Sequence, residues 1–103
     1  MVSTEKQFSV LKSAYTELIK NTLILHNVSE VECVNETEHF FDRITIDDGK
    51  MKVYKHRFNE PLDGFYFDYT VDYARTLNYI ETDLFLVQHG SPSKNGMIFT
   101  FNN

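Results

Sequence analysis

Residues 40–58 read FFDRITIDDGKMKVYKHRF, two runs of alternating side chains on either side of Asp48-Gly49. An Asp-Gly dipeptide between alternating runs is a strong signal for a two-residue type I′ hairpin loop, because both loop positions need positive φ. With that loop, Asp47 faces Lys50. One face of the ladder then pairs Ile46 with Met51, Ile44 with Val53 and Asp42 with Lys55. The other pairs Thr45 with Lys52, Arg43 with Tyr54 and Phe41 with His56, which sets a cation beside an aromatic ring. A three-residue loop would slide Lys50 and Lys52 opposite the isoleucines. The apolar pattern therefore selects the shorter loop and predicts strands over about 39–47 and 50–58.

Working outward, residues 4–25 read as a helix. Thr4 followed by Gln7 is a capping box, Glu5 suits the first turn, and Phe8, Leu11, Ala14 or Tyr15, Leu18, Thr22 and Leu25 recur at helical spacing as the expected core stripe. Residues 28–39 fit either a strand at about 30–35 or a short helix opened by Ser29 and Glu32. After the turn formers Pro61 and Gly64, alternation of Phe65, Phe67, Tyr69, Val71 and Tyr73 with Tyr66, Asp68, Thr70 and Asp72 predicts a strand. The unbroken run Leu84–Val87 predicts another, buried on both faces. A turn through Gly90–Gly96 leads to a last strand, Met97 to Phe101. The expectation is an α+β domain, one N-terminal helix packed on a curled antiparallel sheet of five or six strands. Cystatin-like and NTF2-like folds share this plan as architectural analogues, with no family motif behind the likeness.

At 103 residues, the chain is read as a single domain, residues 1–103, able to bury roughly two thirds of its unfolded surface. Nine Phe and six Tyr beside four Gly and two Pro favour a compact sheet-rich domain over disorder. The opening residues carry no charged region or apolar run of a secretory signal, and no stretch approaches a membrane span, so a cytoplasmic protein without membrane association is expected. One cysteine, Cys33, leaves no internal disulfide and fits a reducing compartment.

Chemistry-bearing patterns are sparse. His39 and His56 fall on one face of the hairpin but lack a third metal ligand at fixed spacing, and half-exposed histidines explain them equally. Asp68 and Asp72, four strand residues apart, stand roughly 13 Å from one another, too far for a glycosidase pair. Cys33 between Val31 and Val34 reads as a small buried apolar residue. The glycines are isolated in turns, so no phosphate-cradling loop exists. No cofactor is expected, nor is catalysis.

What remains is charge. The net charge is −5, and the acids fall in two stretches separated by the basic run Lys50, Lys52, Lys55 and Arg57. Glu36, Glu38, Glu60, Asp63, Asp68, Asp72, Glu81 and Asp83 with Tyr66 are the expected partner-binding surface. They suit a basic protein surface rather than nucleic acid directly, as an inhibitor, immunity protein or antitoxin would present. A pocket lined by Phe65, Phe67, Tyr69 and Phe99 is the alternative, serving a small ligand or an enzyme. A homodimer through a strand edge, at Leu84–Val87 or at Met97–Phe101, is the third.

Overall fold

The computed structural model describes residues 4–34, 41–55, 65 and 70–102. The elements run α1 (Thr4–Leu25), β1 (Val28–Cys33), β2 (Arg43–Asp47), β3 (Lys50–Tyr54), α2 (Thr70–Gln88) and β4 (Met97–Phe101). The four strands form an antiparallel sheet in the order β3-β2-β1-β4. The protein is thus α+β, with a second helix beside the expected one.

The hairpin obeys its local chemistry. Asp48 and Gly49 both take positive φ, 52° and 72°, the geometry that lets a two-residue loop follow the right-handed strand twist. All five pairs from Arg43 opposite Tyr54 to Asp47 opposite Lys50 lie in the expected register. The Arg43 guanidinium sits 4.2 Å from the Tyr54 ring centroid. Helix α1 spans the expected residues and stops at Asn27, whose φ of 59° is the left-handed cap that Asn tolerates. Strand β1 starts at the next residue, and Asn27 O accepts from Asn102 N at 2.7 Å, tying the end of β4 to the end of α1.

Cross-strand pairing fixes the two faces of the sheet. Val53, Ile44, Val31 and Phe99 form one row across all four strands, with Cys33 opposite Met97 beside it. These side chains, buried or nearly so, join Ile19 and Leu23 of α1 and Tyr73, Ile80 and Leu84 of α2 in the core. The other face carries Lys52, Thr45, Glu30 and Thr100, then Tyr54, Arg43, Glu32 and Ile98.

Residues 70–88 overturn two expected strands. The alternation through Val71 and Tyr73, and the run Leu84–Val87, both lie in one nineteen-residue helix. Four strands stand among the described residues, not five or six, and the Leu84–Val87 edge proposed for a dimer is a helical segment. The physical reason is that Tyr73, Thr76, Ile80, Asp83 and Leu84 also recur every three or four residues, and these are the buried positions. Over nineteen residues this spacing wraps a continuous stripe onto the core. Tyr73 anchors its start, donating to Phe65 O at 2.6 Å, while the Phe65 ring meets Phe41 and Tyr73 edge-on at 5.9 and 6.4 Å. Phe65, one of the residues named for the alternative ligand pocket, is fully buried in the core. Phe67 and Tyr69 lie outside the described residues.

Helix α1 shows a further correction. Its buried side chains are Ile19 and Leu23, with Tyr15 packed against them; Leu11, Leu18 and Leu25, expected in the core, are exposed. The helix is apolar on two faces, and only one of them meets the rest of the domain.

Candidate functional site

The last turns of α1 and α2 lie side by side and leave an open cavity of about 360 Å³ between them, lined by Thr22, Leu25, His26, Glu81, Leu84, Phe85 and Gln88. Spacing explains the lining. Thr22 and Leu25 lie one turn apart at the end of α1 with His26 just beyond it, and on α2 Glu81 is one turn from Leu84 and Phe85, which are in turn one turn from Gln88. Leu84 is the buried floor, whereas Leu25 is 79% and Phe85 61% exposed. Two large apolar side chains thus stand in water on opposite walls. Phe85 is held in place: the His89 ring lies on it at 4.2 Å, and His89 donates through Nδ1 to the Phe85 carbonyl at 2.7 Å. His26, Gln88 and Glu81 supply the polar groups.

Asp83 behaves differently although it sits between Glu81 and Phe85 in sequence. Each helical residue turns by about 100°, so Asp83 points away from both, into the interior. It is fully buried. Its carboxylate accepts from the Ser93 hydroxyl, Lys94 N at 3.2 Å, Asn95 N at 3.0 Å and Asn95 Nδ2 at 3.0 Å. Ser93 Oγ in turn accepts from Met97 N at 2.8 Å. One carboxylate therefore folds the 89–96 connection back and delivers β4 to the sheet. Buried charge requires such complete pairing, and Asp83 is spent on it.

The remaining expected acids do not assemble into one patch among the described residues. Asp72 lies in the first turn of α2, 4.0 Å from the Arg75 guanidinium, where a carboxylate complements the helix dipole. Glu81 lies nine residues further, about 13 Å along the axis and half a turn round. Glu36, Glu38, Glu60, Asp63, Tyr66 and Asp68 lie outside the described residues, as do His39 and His56.

Cys33 is buried and free. Burial foremost, and then the charges of Asp42, Asp83 and Glu32, pushes its thiol up to about 12. A thiol that keeps its proton is not a nucleophile. Among the described residues, no group of three His, Cys, Asp or Glu is placed to hold a metal ion, and no helix is long and apolar enough to cross a membrane.

Compared with family models, curated proteins and solved structures, the chain matches none. Geometry alone bears on the site. The groove is not legible in the sequence because helical spacing puts Leu25 in the core stripe of α1 and the apolar run around Phe85 reads as a strand. The usable signal was the 25-residue stretch without Gly or Pro between Gly64 and Gly90, long enough for a helix and too long for a strand.

Proposed function

We propose that this protein is a small, non-catalytic binding module that recognises another protein, with the groove between the last turns of α1 and α2 as its contact surface. The observation that carries the reading is the pair of exposed apolar side chains, Leu25 and Phe85, facing one another across that groove. An aromatic and an aliphatic anchor in a concavity, ringed by polar groups, is the arrangement that concentrates binding energy at protein interfaces. The net charge of −5 and the Glu81 rim favour a basic partner surface and salt-sensitive association. An inhibitor, immunity protein or antitoxin acting inside the cell fits this chemistry, and it needs neither cofactor nor direct nucleic-acid contact.

The test is capture of partners from native lysate on tagged wild type, Phe85→Ala and Glu81→Lys, washed at low and high salt. A basic protein retained in stoichiometric amount by wild type, lost on Phe85→Ala and weakened by Glu81→Lys, is the expected result. Retention indifferent to both substitutions, or recovery of nothing, contradicts it. The cavity volume supports one other reading, a small-ligand pocket, since about 360 Å³ lies in the range such pockets occupy. A thermal-shift screen that stabilises wild type and spares Phe85→Ala distinguishes the two.

A further inference from the structure

Both helices end at the groove, and both ends carry the same sign of charge. α1 stops at Leu25 and α2 at Gln88, and residues from both last turns line the cavity. A helix C-terminus holds partial negative charge, equivalent to about half an elementary charge, which a nearby cation offsets. Neither helix has a basic residue in its last turn. Glu81 adds a full carboxylate on the α2 wall. The described ion pairs, Lys20 with Glu17, Arg43 with Glu30 and Arg75 with Asp72, leave it out, and it has no other partner among the described residues. Two helix ends and one unpaired carboxylate thus gather negative charge around a single concavity.

We infer that the groove seats an arginine side chain of the partner, with its guanidinium against Glu81 and Phe85 and its stem along Leu84 and Leu25. This rests on the groove being the contact surface and names the group that enters it. Glu81 and Phe85 stand four residues apart on α2, so their side chains are neighbours, with Cβ atoms about 5–6 Å apart. One guanidinium can touch both. The buried floor at Leu84 and the exposed Leu25 on the α1 wall make an apolar bed for a methylene stem. An anionic side chain would meet Glu81 and two negative helix ends. A wholly apolar one would take water from the carboxylate and return no partner. Between the two common cations, arginine fits better than lysine. Its guanidinium is planar, less strongly hydrated than an ammonium, pairs with a carboxylate through two N–H groups and stacks on an aromatic ring. Phe85 supplies that ring, steadied by His89 at 4.2 Å. Thr22 and Gln88, also on the lining, offer a hydroxyl and a carbonyl oxygen to the remaining N–H groups.

The test titrates isotope-labelled protein with acetyl-arginine amide at fixed ionic strength and follows the backbone amides by NMR. Acetyl-citrulline amide, which matches the guanidinium in shape but lacks its charge, is titrated beside it. Saturable shifts confined to the two helix ends are expected, with a dissociation constant of about 1–10 mM, the range open to a single side chain. The citrulline amide is expected to bind at least about threefold more weakly. Glu81→Gln and Phe85→Ala, both at exposed positions that leave the fold intact, are each expected to weaken the arginine amide by about three- to fivefold. Glu32→Gln makes the same charge change on the solvent face of β1 and is expected to leave binding as it is. The absence of a saturable shift overturns the inference. Equal binding of the citrulline amide does so too, as does equal weakening by Glu32→Gln. Its failure is distinct from that of the proposed function: a basic protein captured by wild type and lost on Phe85→Ala, with no binding of the arginine amide, overturns the arginine and leaves the contact surface standing.

Discussion

Two connections in this protein reverse the chain by opposite means. The β2–β3 loop holds its shape within itself: two residues at positive φ suffice, and the strands they join need no help from distant residues. The connection from α2 to β4 takes its shape from one carboxylate ten or more residues earlier, which binds a hydroxyl, two backbone amides and a side-chain amide. A local turn degrades gently when altered. A turn held by one buried charge loses all its partners together, and the edge strand beyond it goes too.

The largest effect is expected at that charge. Asp83→Ala removes the shared acceptor of four part-buried hydrogen bonds, and bonds to a charged group contribute about 1.5–3 kcal/mol each, so a loss of about 3 kcal/mol or more in urea denaturation is expected, with faster amide exchange across β4. Tyr73→Phe removes the bond to Phe65 O and is expected to cost about 1 kcal/mol in the same measurement. On the hairpin, Gly49→Ala meets open space but forces a side chain to φ 72°, and about 1 kcal/mol is expected. Arg43→Ala, which gives up the contact with Tyr54, should cost about 0.5 kcal/mol at this exposed site. Equal losses at Asp83 and Gly49 would erase the contrast between the two connections.

Cys33 sharpens it from inside. Its folded-state pKa of about 12 stands above the ordinary 9.0, so between those values the unfolded chain releases a proton that the folded one keeps. The stability it contributes is complete below about pH 9 and is lost as pH rises towards about 12. Native protein at pH 8 should therefore resist a thiol reagent that labels it at once in denaturant. Cys33→Ser should flatten the alkaline limb of the stability curve.

The same contrast governs what could be read from sequence. Asp48-Gly49 announces its turn, and the alternating residues around it leave one register that keeps Lys50 and Lys52 off the core. The capping box at Thr4 announces α1. Residues 70–88 offer two periods at once: Val71 and Tyr73 extend an alternating run, while Tyr73, Leu77, Ile80 and Leu84 repeat at helical spacing. The choice between them is made by burial against α1 and the sheet. Asp83 was one acid among several in an acidic stretch, and its burial depends on a loop that returns to it. The groove was illegible for a related reason, since it exists only where the ends of two helices meet. On α1, apolar residues on two faces left the sequence no means of choosing which would turn inward.

The most direct measurement is a paired one on α2, where interior and surface alternate within five residues. Asp83→Ala and Phe85→Ala, compared in urea denaturation and in partner capture, separate the two roles. The account predicts that Asp83→Ala loses about 3 kcal/mol or more, whereas Phe85→Ala keeps wild-type stability and loses the captured protein. A Phe85→Ala variant that unfolds, or an Asp83→Ala variant as stable as wild type, contradicts it.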